Sequence, residues 1–95
     1  MAYVITRVEL HSASNADYET LHAAMEAEGF QRIVLANDGI WYHLPTGTYV
    51  HHSVSSPADG SQRATRAPAR TGRNSSIFVG GWDGNWTSNG LPRAS

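Results

Sequence analysis

The sequence is 95 residues long, the length of one domain, with no room for a second. It contains no cysteine, so disulfide bonds, thiolate metal sites and cysteine nucleophiles are excluded. No apolar run approaches the roughly 20 residues that a membrane helix needs, and the first residues lack the pattern of a signal peptide. We therefore predict one soluble domain over residues 1–95, located in the cytoplasm.

Charge is distributed unevenly along the chain, although the net charge is only −1. Residues 1–52 hold two arginines against six acidic residues, a net charge of −4, and residues 53–95 hold five arginines against two aspartates, a net charge of +3. All seven basic residues are arginine, which suits bidentate contacts with phosphate. The asymmetry is typical of a nucleic-acid contact or a self-complementary oligomer, and codon bias is the simpler explanation of the missing lysine.

The first predicted element is a strand over Tyr3–Leu10, whose even-numbered residues we assign to the core because side chains alternate along a strand. A helix follows. Ser14 and Asp17 have the spacing of a capping box, with Asn15 as a competing cap, and Gly29 is placed as the left-handed residue beyond the helix end. The stripe of this helix that we predict to be buried contains Tyr18, Leu21, Ala24 and Met25.

Two short strands, Gln31–Leu35 and Ile40–Leu44, are predicted to form a hairpin because Asp38-Gly39 lies between them. Pro45-Thr46-Gly47 breaks the second strand, and Thr48–His52 is compatible with its continuation after a bend. The residues predicted to face the helix are Ile33, Leu35, Ile40, Tyr42 and Leu44. Those predicted to face away from it are Arg32, Trp41 and His43.

Residues 53–76 allow two interpretations, a flexible linker or a weak second helix. Ser56-Pro57 supplies an N-cap and a first helical residue, and Thr71-Gly72 supplies a stop. Gly60 and Pro68 oppose a helix, the proline by about 3 kcal/mol in an isolated helix. We favour a frayed or kinked helix, because the sheet needs a second cover.

The last predicted core strand is Ser76–Val79, after which Gly80-Gly81 allows a bend. Trp82–Trp86 is typical of a tight hairpin turn, and residues 91–95 are predicted to form a loose tail. The order β-α-β-β-α-β predicts an α+β fold, namely the ferredoxin-like sandwich, with an antiparallel sheet and two helices on one face. The other face of the sheet is then open.

Several segments resemble a group of small bacterial proteins similar to the GhoS-type endoribonuclease antitoxins of type V toxin–antitoxin systems. The resemblance covers residues 3–49 and is carried by Arg7–His11, Asp17–Phe30, Asp38-Gly39 and Tyr42–Thr46. It implies a ferredoxin-like fold close to that of CRISPR-associated nucleases, and cleavage of the partner toxin's messenger RNA. Those nucleases place an acidic metal ligand at the end of the first strand. This chain has Glu9-Leu10-His11 there, with no aspartate in the strand. This departure argues against metal-dependent cleavage, so if the protein is an enzyme we expect a metal-independent endoribonuclease.

The open face of the predicted sheet is our candidate site. Aromatic side chains on such a face stack RNA bases, and arginines hold phosphates. We hypothesise that His11 and His43 transfer protons to and from the ribose and the leaving group while Arg7 or Arg32 stabilises the phosphorane. The predicted RNA-binding residues of the sheet are Arg32, Trp41 and Phe78. A dimer interface favours the same residue types and is the simpler interpretation.

A second candidate is a basic stripe, because four arginines recur at intervals of three, four and three. They are Arg63, Arg66, Arg70 and Arg73. If helical, they form a ridge that follows phosphates; a solvated helix face or a disordered basic loop is the simpler alternative. No histidine spacing indicates zinc, so no metal or cofactor is predicted. The predicted partners are single-stranded RNA, not DNA, and a second copy of the chain. The alternative is a non-enzymatic dimeric interaction module.

Overall fold

The structure is a computed structural model that describes residues 2–54, 56–82 and 87–94. Its fold is α+β, as predicted, with two α-helices and antiparallel sheets. In chain order the elements are β1 (Ala2–Leu10), α1 (Asn15–Ala27), β2 (Ile33–Leu35), β3 (Trp41–His43), β4 (Thr48–Val54), α2 (Pro57–Arg66), a 3₁₀ helix (Pro68–Thr71) and β5 (Ser75–Trp82).

The strands form two sheets. β1 is the central strand of an antiparallel sheet with the order β4-β1-β5, and β2 pairs with β3 in a separate hairpin. Gln31 links the two sheets, because it exchanges two main-chain hydrogen bonds with Val50 of β4, 2.8 and 2.9 Å long. A single four-stranded, ferredoxin-like sheet is therefore not confirmed. Pro45 and the turn at Gly47 separate β3 from β4, so β4 pairs with β1 as a strand of its own.

Both ends of α1 are formed as predicted. Ser14 Oγ accepts a hydrogen bond from the Asp17 N–H at 3.2 Å, and Asp17 Oδ2 accepts one from the Ser14 N–H at 3.0 Å, which completes the capping box. Gly29 has φ +92°, and the Phe30 N–H donates to the Met25 carbonyl at 3.0 Å. This is the Schellman arrangement, so the left-handed glycine terminates the helix.

The core lies between the helices and one face of the central sheet. The even-numbered residues of β1 from Val4 to Leu10 are buried, as predicted. Both helices contribute side chains to the same cluster, so both cover the same face. The cluster consists of Val4, Val8, Leu10, Leu21, Ala24, Met25, Phe30, Tyr49, Ala64 and Ala67. Gly60 allows α2 to lie close to β1, because a Cβ atom at position 60 would lie 2.9 Å from Val4 Cγ2.

The region with two interpretations is helical over most of its length. Ser56 Oγ accepts a hydrogen bond from the Asp59 N–H at 3.1 Å, which caps α2 as predicted. The α-helix ends at Arg66, and Pro68 is the first residue of the 3₁₀ helix. At a first helical position the main-chain nitrogen has no hydrogen bond to donate within the helix, so proline is tolerated there. Gly72 ends this helix in the left-handed conformation. Among the described residues no helix combines the length and the apolar character of a membrane span.

The C-terminal segment, predicted to be loose, is paired with the hairpin over its described residues. The His43 N–H donates to the Pro92 carbonyl at 2.8 Å, and the Ala94 N–H donates to the Trp41 carbonyl at 2.9 Å. Tyr42 and Arg93 form an antiparallel bridge between these bonds. The segment thus covers one edge of β3. The predicted turn between the two tryptophans falls on residues 83–86, outside the described residues.

One hydrogen bond joins two buried polar side chains beneath α1. His22 Nδ1 lies 2.6 Å from Tyr49 Oη, and both residues are buried. Burial lowers the pKa of His22 from its usual value of 6.5, with the positive charge of Arg32 as a second cause. Burial also raises the pKa of Tyr49. Both shifts favour the neutral forms, so the bond joins a neutral imidazole to a neutral phenol.

Tyr49→Phe is expected to lower the free energy of unfolding by about 1–3 kcal/mol, because His22 Nδ1 then stays buried without a partner.

The wild-type protein should also lose stability as the pH falls below about 7.5. The unfolded chain binds a proton at His22 more readily than the folded chain does. Urea unfolding between about pH 7.5 and pH 5.5 measures this loss. His22→Gln is the control, and an identical pH dependence in both proteins would contradict the assignment.

Candidate nucleic-acid interface

The face of the central sheet opposite the helices carries an arginine beside an exposed aromatic ring. Arg7 of β1 lies opposite Phe78 of β5 and Thr48 of β4. Arg7 Nη1 donates to Thr48 Oγ1 at 3.4 Å, which directs the guanidinium towards β4. Phe78 is 73% exposed, the largest exposed fraction of any large hydrophobic side chain in the described chain. The centre of this face therefore combines a cation with an unburied ring.

A polar cluster lies beside this pair, at the end of β1. His11 Nε2 lies 2.9 Å from Ser76 Oγ, and both residues are exposed. The main-chain N–H of His11 also donates to the Asn74 carbonyl at 2.8 Å, which fixes the main chain at the histidine. Ser76 is the cross-strand partner of Glu9, so a carboxylate, a hydroxyl and an imidazole share this end of the face. The sequence did not predict that Ser76 lies beside His11, because the register between β1 and β5 leaves no local signal.

The other half of the same face is partly covered. Ile5 and Val50 lie opposite each other there, and with residues 87–91 they line a mostly apolar hollow of about 440 Å³ that also touches Val34 and Leu44. This cover explains why Val50 is buried although it lies on the face away from the helices. The open half is therefore the part around Arg7 and the polar cluster.

Arg32 and His43 do not belong to this face, contrary to prediction. Arg32 Nε lies 3.9 Å from Glu26 Oε1 of α1, and its charge acts on the buried His22 and Tyr49, so it lies on the helix side. His43 belongs to the separate hairpin and lines a hollow of about 220 Å³ with Glu26 and Arg32. The prediction fails because β2 and β3 form a separate two-stranded sheet instead of joining the central one. The predicted pair His11 and His43 is thus divided between two sheets.

The hairpin also presents different residues from those predicted. Val34 is its buried residue, whereas Leu35, predicted to face the helix, is 51% exposed. Trp41 lies opposite Leu35 and is exposed with it, so the tryptophan is accessible but not on the open face of the central sheet. The buried residue of β2, Val34, lines the larger hollow together with Ile5 and Val50 of the central sheet.

The predicted basic stripe is largely neutralised by carboxylates. The ion pairs are Arg63 with Asp59 at 3.2 Å, Arg66 with Glu28 at 2.7 Å, and Arg73 with Asp17 at 2.9 Å. The hydrogen bond from Arg66 holds the pKa of Glu28 below its usual value. Two of these pairs join the α2–3₁₀ region and the residues just after it to α1 and its C-terminal end, so they have a structural role. Arg70 is exposed on the 3₁₀ helix, and no ion pair is described for it among residues 2–54, 56–82 and 87–94.

Within the described part of the chain, no group of three or more histidine, aspartate or glutamate side chains is arranged to hold a metal ion. Comparison with the models of known protein families gave no match, and comparison with curated proteins gave none either.

Proposed function

We propose that this protein binds single-stranded RNA on the open half of its central sheet. The observation that carries the proposal is the placement of Arg7 directly beside Phe78, whose ring is 73% exposed. A phenylalanine in this position gains little from folding, since most of its surface stays in water. It is well placed to stack on a base, while the arginine beside it contacts a phosphate. The resemblance of residues 3–49 to GhoS-type antitoxins favours RNA as the ligand and the cytoplasm as the location.

We also propose that the fold is a variant of the ferredoxin-like arrangement. Three observations support this: the strand order β4-β1-β5, the placement of both helices on one face, and the two main-chain bonds between Gln31 and Val50. In this interpretation the strand next to β4 is reduced to Gln31, and the chain from Ile33 to His43 forms an inserted hairpin.

Fluorescence anisotropy with a labelled single-stranded RNA, at two salt concentrations, tests the binding proposal. Arg7→Gln is expected to weaken binding and to lower the slope of log affinity against log salt by about one, because one phosphate contact is lost. Phe78→Ala is expected to cost about 1–3 kcal/mol of binding free energy.

Leu35→Ala is the matched control for the RNA assay, because Leu35 is also an exposed apolar residue but lies on the hairpin. It should leave RNA binding unchanged. A wild-type protein without affinity for RNA would overturn the proposal. So would a loss of binding in Leu35→Ala that equals the loss in Phe78→Ala.

We extend the proposal to metal-independent cleavage of RNA, with Glu9 in place of His43 as the partner of His11. Glu9 faces Ser76, whose hydroxyl contacts His11. The Glu9 carboxylate takes the proton of the ribose 2′-hydroxyl, whose oxygen attacks the phosphorus. The bond to the 5′-oxygen breaks as His11 donates a proton to it. The products are a 2′,3′-cyclic phosphate and a 5′-hydroxyl, and Arg7 offsets the charge of the phosphorane. The substrate that the resemblance favours is a toxin messenger RNA.

A further inference from the structure

In the part of the chain that the structure describes, the outer edge of β5 is a long strand edge without the usual protection. β5 pairs with β1 on one side, and on its other side no strand of the described chain pairs with it. Its eight residues, Ser75–Trp82, include no charged residue and no proline. Native proteins normally protect such edges with charges, prolines, bulges or covering segments, since an open edge recruits another strand.

The other edge of the same sheet differs in this respect. Beyond β4, Gln31 occupies the hydrogen-bonding groups of Val50, and the chain then continues into the β2–β3 hairpin. The hairpin in turn has its own edge at β3 covered by Pro92 and Ala94. β5 is therefore the edge of the described sheets that offers the longest run of free main-chain groups.

We propose that β5 pairs antiparallel with β5 of a second copy of this chain, about a twofold axis perpendicular to the sheet. The result is a six-stranded sheet with the order β4-β1-β5-β5-β1-β4 and all helices on one side. A second copy fits this edge because an uncharged strand meets itself without like-charge repulsion, and a twofold interface requires such self-complementarity. Phe78 lies at the middle of β5, so pairing along the whole strand places it close to the axis.

The pairing has a geometric consequence that can be tested. Because the helices of both copies lie on one side of the sheet, two residues that pair across the axis have side chains on the same face. Odd-numbered residues therefore pair with odd-numbered residues, and even-numbered with even-numbered. It follows that one residue of β5 pairs with the same residue of the second copy. The chain has no native cysteine. Single cysteines placed in turn at each position from 76 to 80 should therefore give a disulfide-linked dimer most readily at the position nearest the axis, where the Cα atoms come within about 7 Å.

Sedimentation equilibrium without RNA tests the association itself. The wild-type protein should sediment as a dimer at high micromolar concentration. Phe78→Lys should weaken the dimer by about tenfold or more, because two ammonium groups then approach each other near the axis. It should not unfold the chain, since the side chain it replaces is mostly exposed. Leu35→Lys, the same kind of change on the hairpin, should leave the dimer intact.

A monomer at every concentration would overturn the inference, as would a dimer that cross-links through Leu35→Cys but at no position of β5. The inference does not rest on RNA binding, because both measurements are made on the protein alone. Conversely, the Arg7→Gln titration tests RNA binding through a residue on β1, which lies outside the proposed interface.

Discussion

Gly29→Ala is expected to lower the free energy of unfolding by about 2–4 kcal/mol. Two costs add at this position. Gly29 has φ +92°, a conformation that strains any residue with a Cβ atom. That Cβ atom would also lie 2.5 Å from His51 Nε2, well inside contact distance. Urea unfolding of the variant and the wild type measures the loss.

The clash is costly because the His51 ring is fixed on both sides. Its Nδ1 accepts a hydrogen bond from the Ser53 N–H at 3.0 Å, and its Nε2 donates to the Glu28 carbonyl at 3.0 Å. Phe30 contacts the ring edge-on, with the ring centres 5.0 Å apart. The imidazole cannot turn away from a methyl group at Gly29 without losing a bond that a buried polar group needs.

Gly39→Ala is the matched control. Gly39 has a similar φ of +81°, but nothing lies within 4 Å of the Cβ atom that alanine would add. Its expected cost is about 1–2 kcal/mol, from backbone strain alone. The difference between the two variants measures the contact with His51. Equal losses would show that this contact contributes nothing and that strain accounts for both.

Local signals predicted the helix ends because their causes lie within a few residues. The Ser14–Asp17 box, the left-handed Gly29 and the Ser56 cap each act within one turn of the helix they define. Alternation also predicted the buried face of β1, since that strand is covered by helices on one side only.

The same alternation failed for the hairpin because its environment comes from distant parts of the chain. Val34 is buried and lines the larger hollow with Ile5 and Val50, and the edge of β3 is covered by residues 92–94. Contacts of this kind depend on strand pairing and register, which a single short strand does not specify. The prediction that Arg32 and His43 lie on the open face of the central sheet failed for this reason.

The arginine stripe shows how spacing alone overstates a binding surface. The intervals between Arg63 and Arg73 predict one helical ridge, but Arg73 lies beyond the end of the 3₁₀ helix. The carboxylates that pair with these arginines include Asp17 of α1 and Glu28 at the C-terminal end of that helix. Phosphate would have to compete with these ion pairs. Arg7, in contrast, has only the weak bond to the Thr48 hydroxyl among the described contacts of its side chain, so it is the better candidate for phosphate.

His11→Ala is expected to slow RNA cleavage by about 10²–10⁴-fold, the usual contribution of a positioned general acid. The affinity for RNA should stay within about threefold of the wild-type value, because binding is assigned to Arg7 and Phe78. The rate is measured in single-turnover reactions with end-labelled RNA and a chelator, and the products are tested for a 2′,3′-cyclic phosphate.

His43→Ala provides the matched control for cleavage, since it removes the same exposed side chain from the other sheet. It should leave the cleavage rate unchanged, because His43 lies beside Glu26 and Arg32 and away from Ser76. Equal losses in the two variants would contradict the Glu9–His11 site and support the two-histidine hypothesis. Cleavage that depends on His43 alone would move the reaction to the hollow next to α1. RNA binding without any cleavage would restrict the open half-face to recognition.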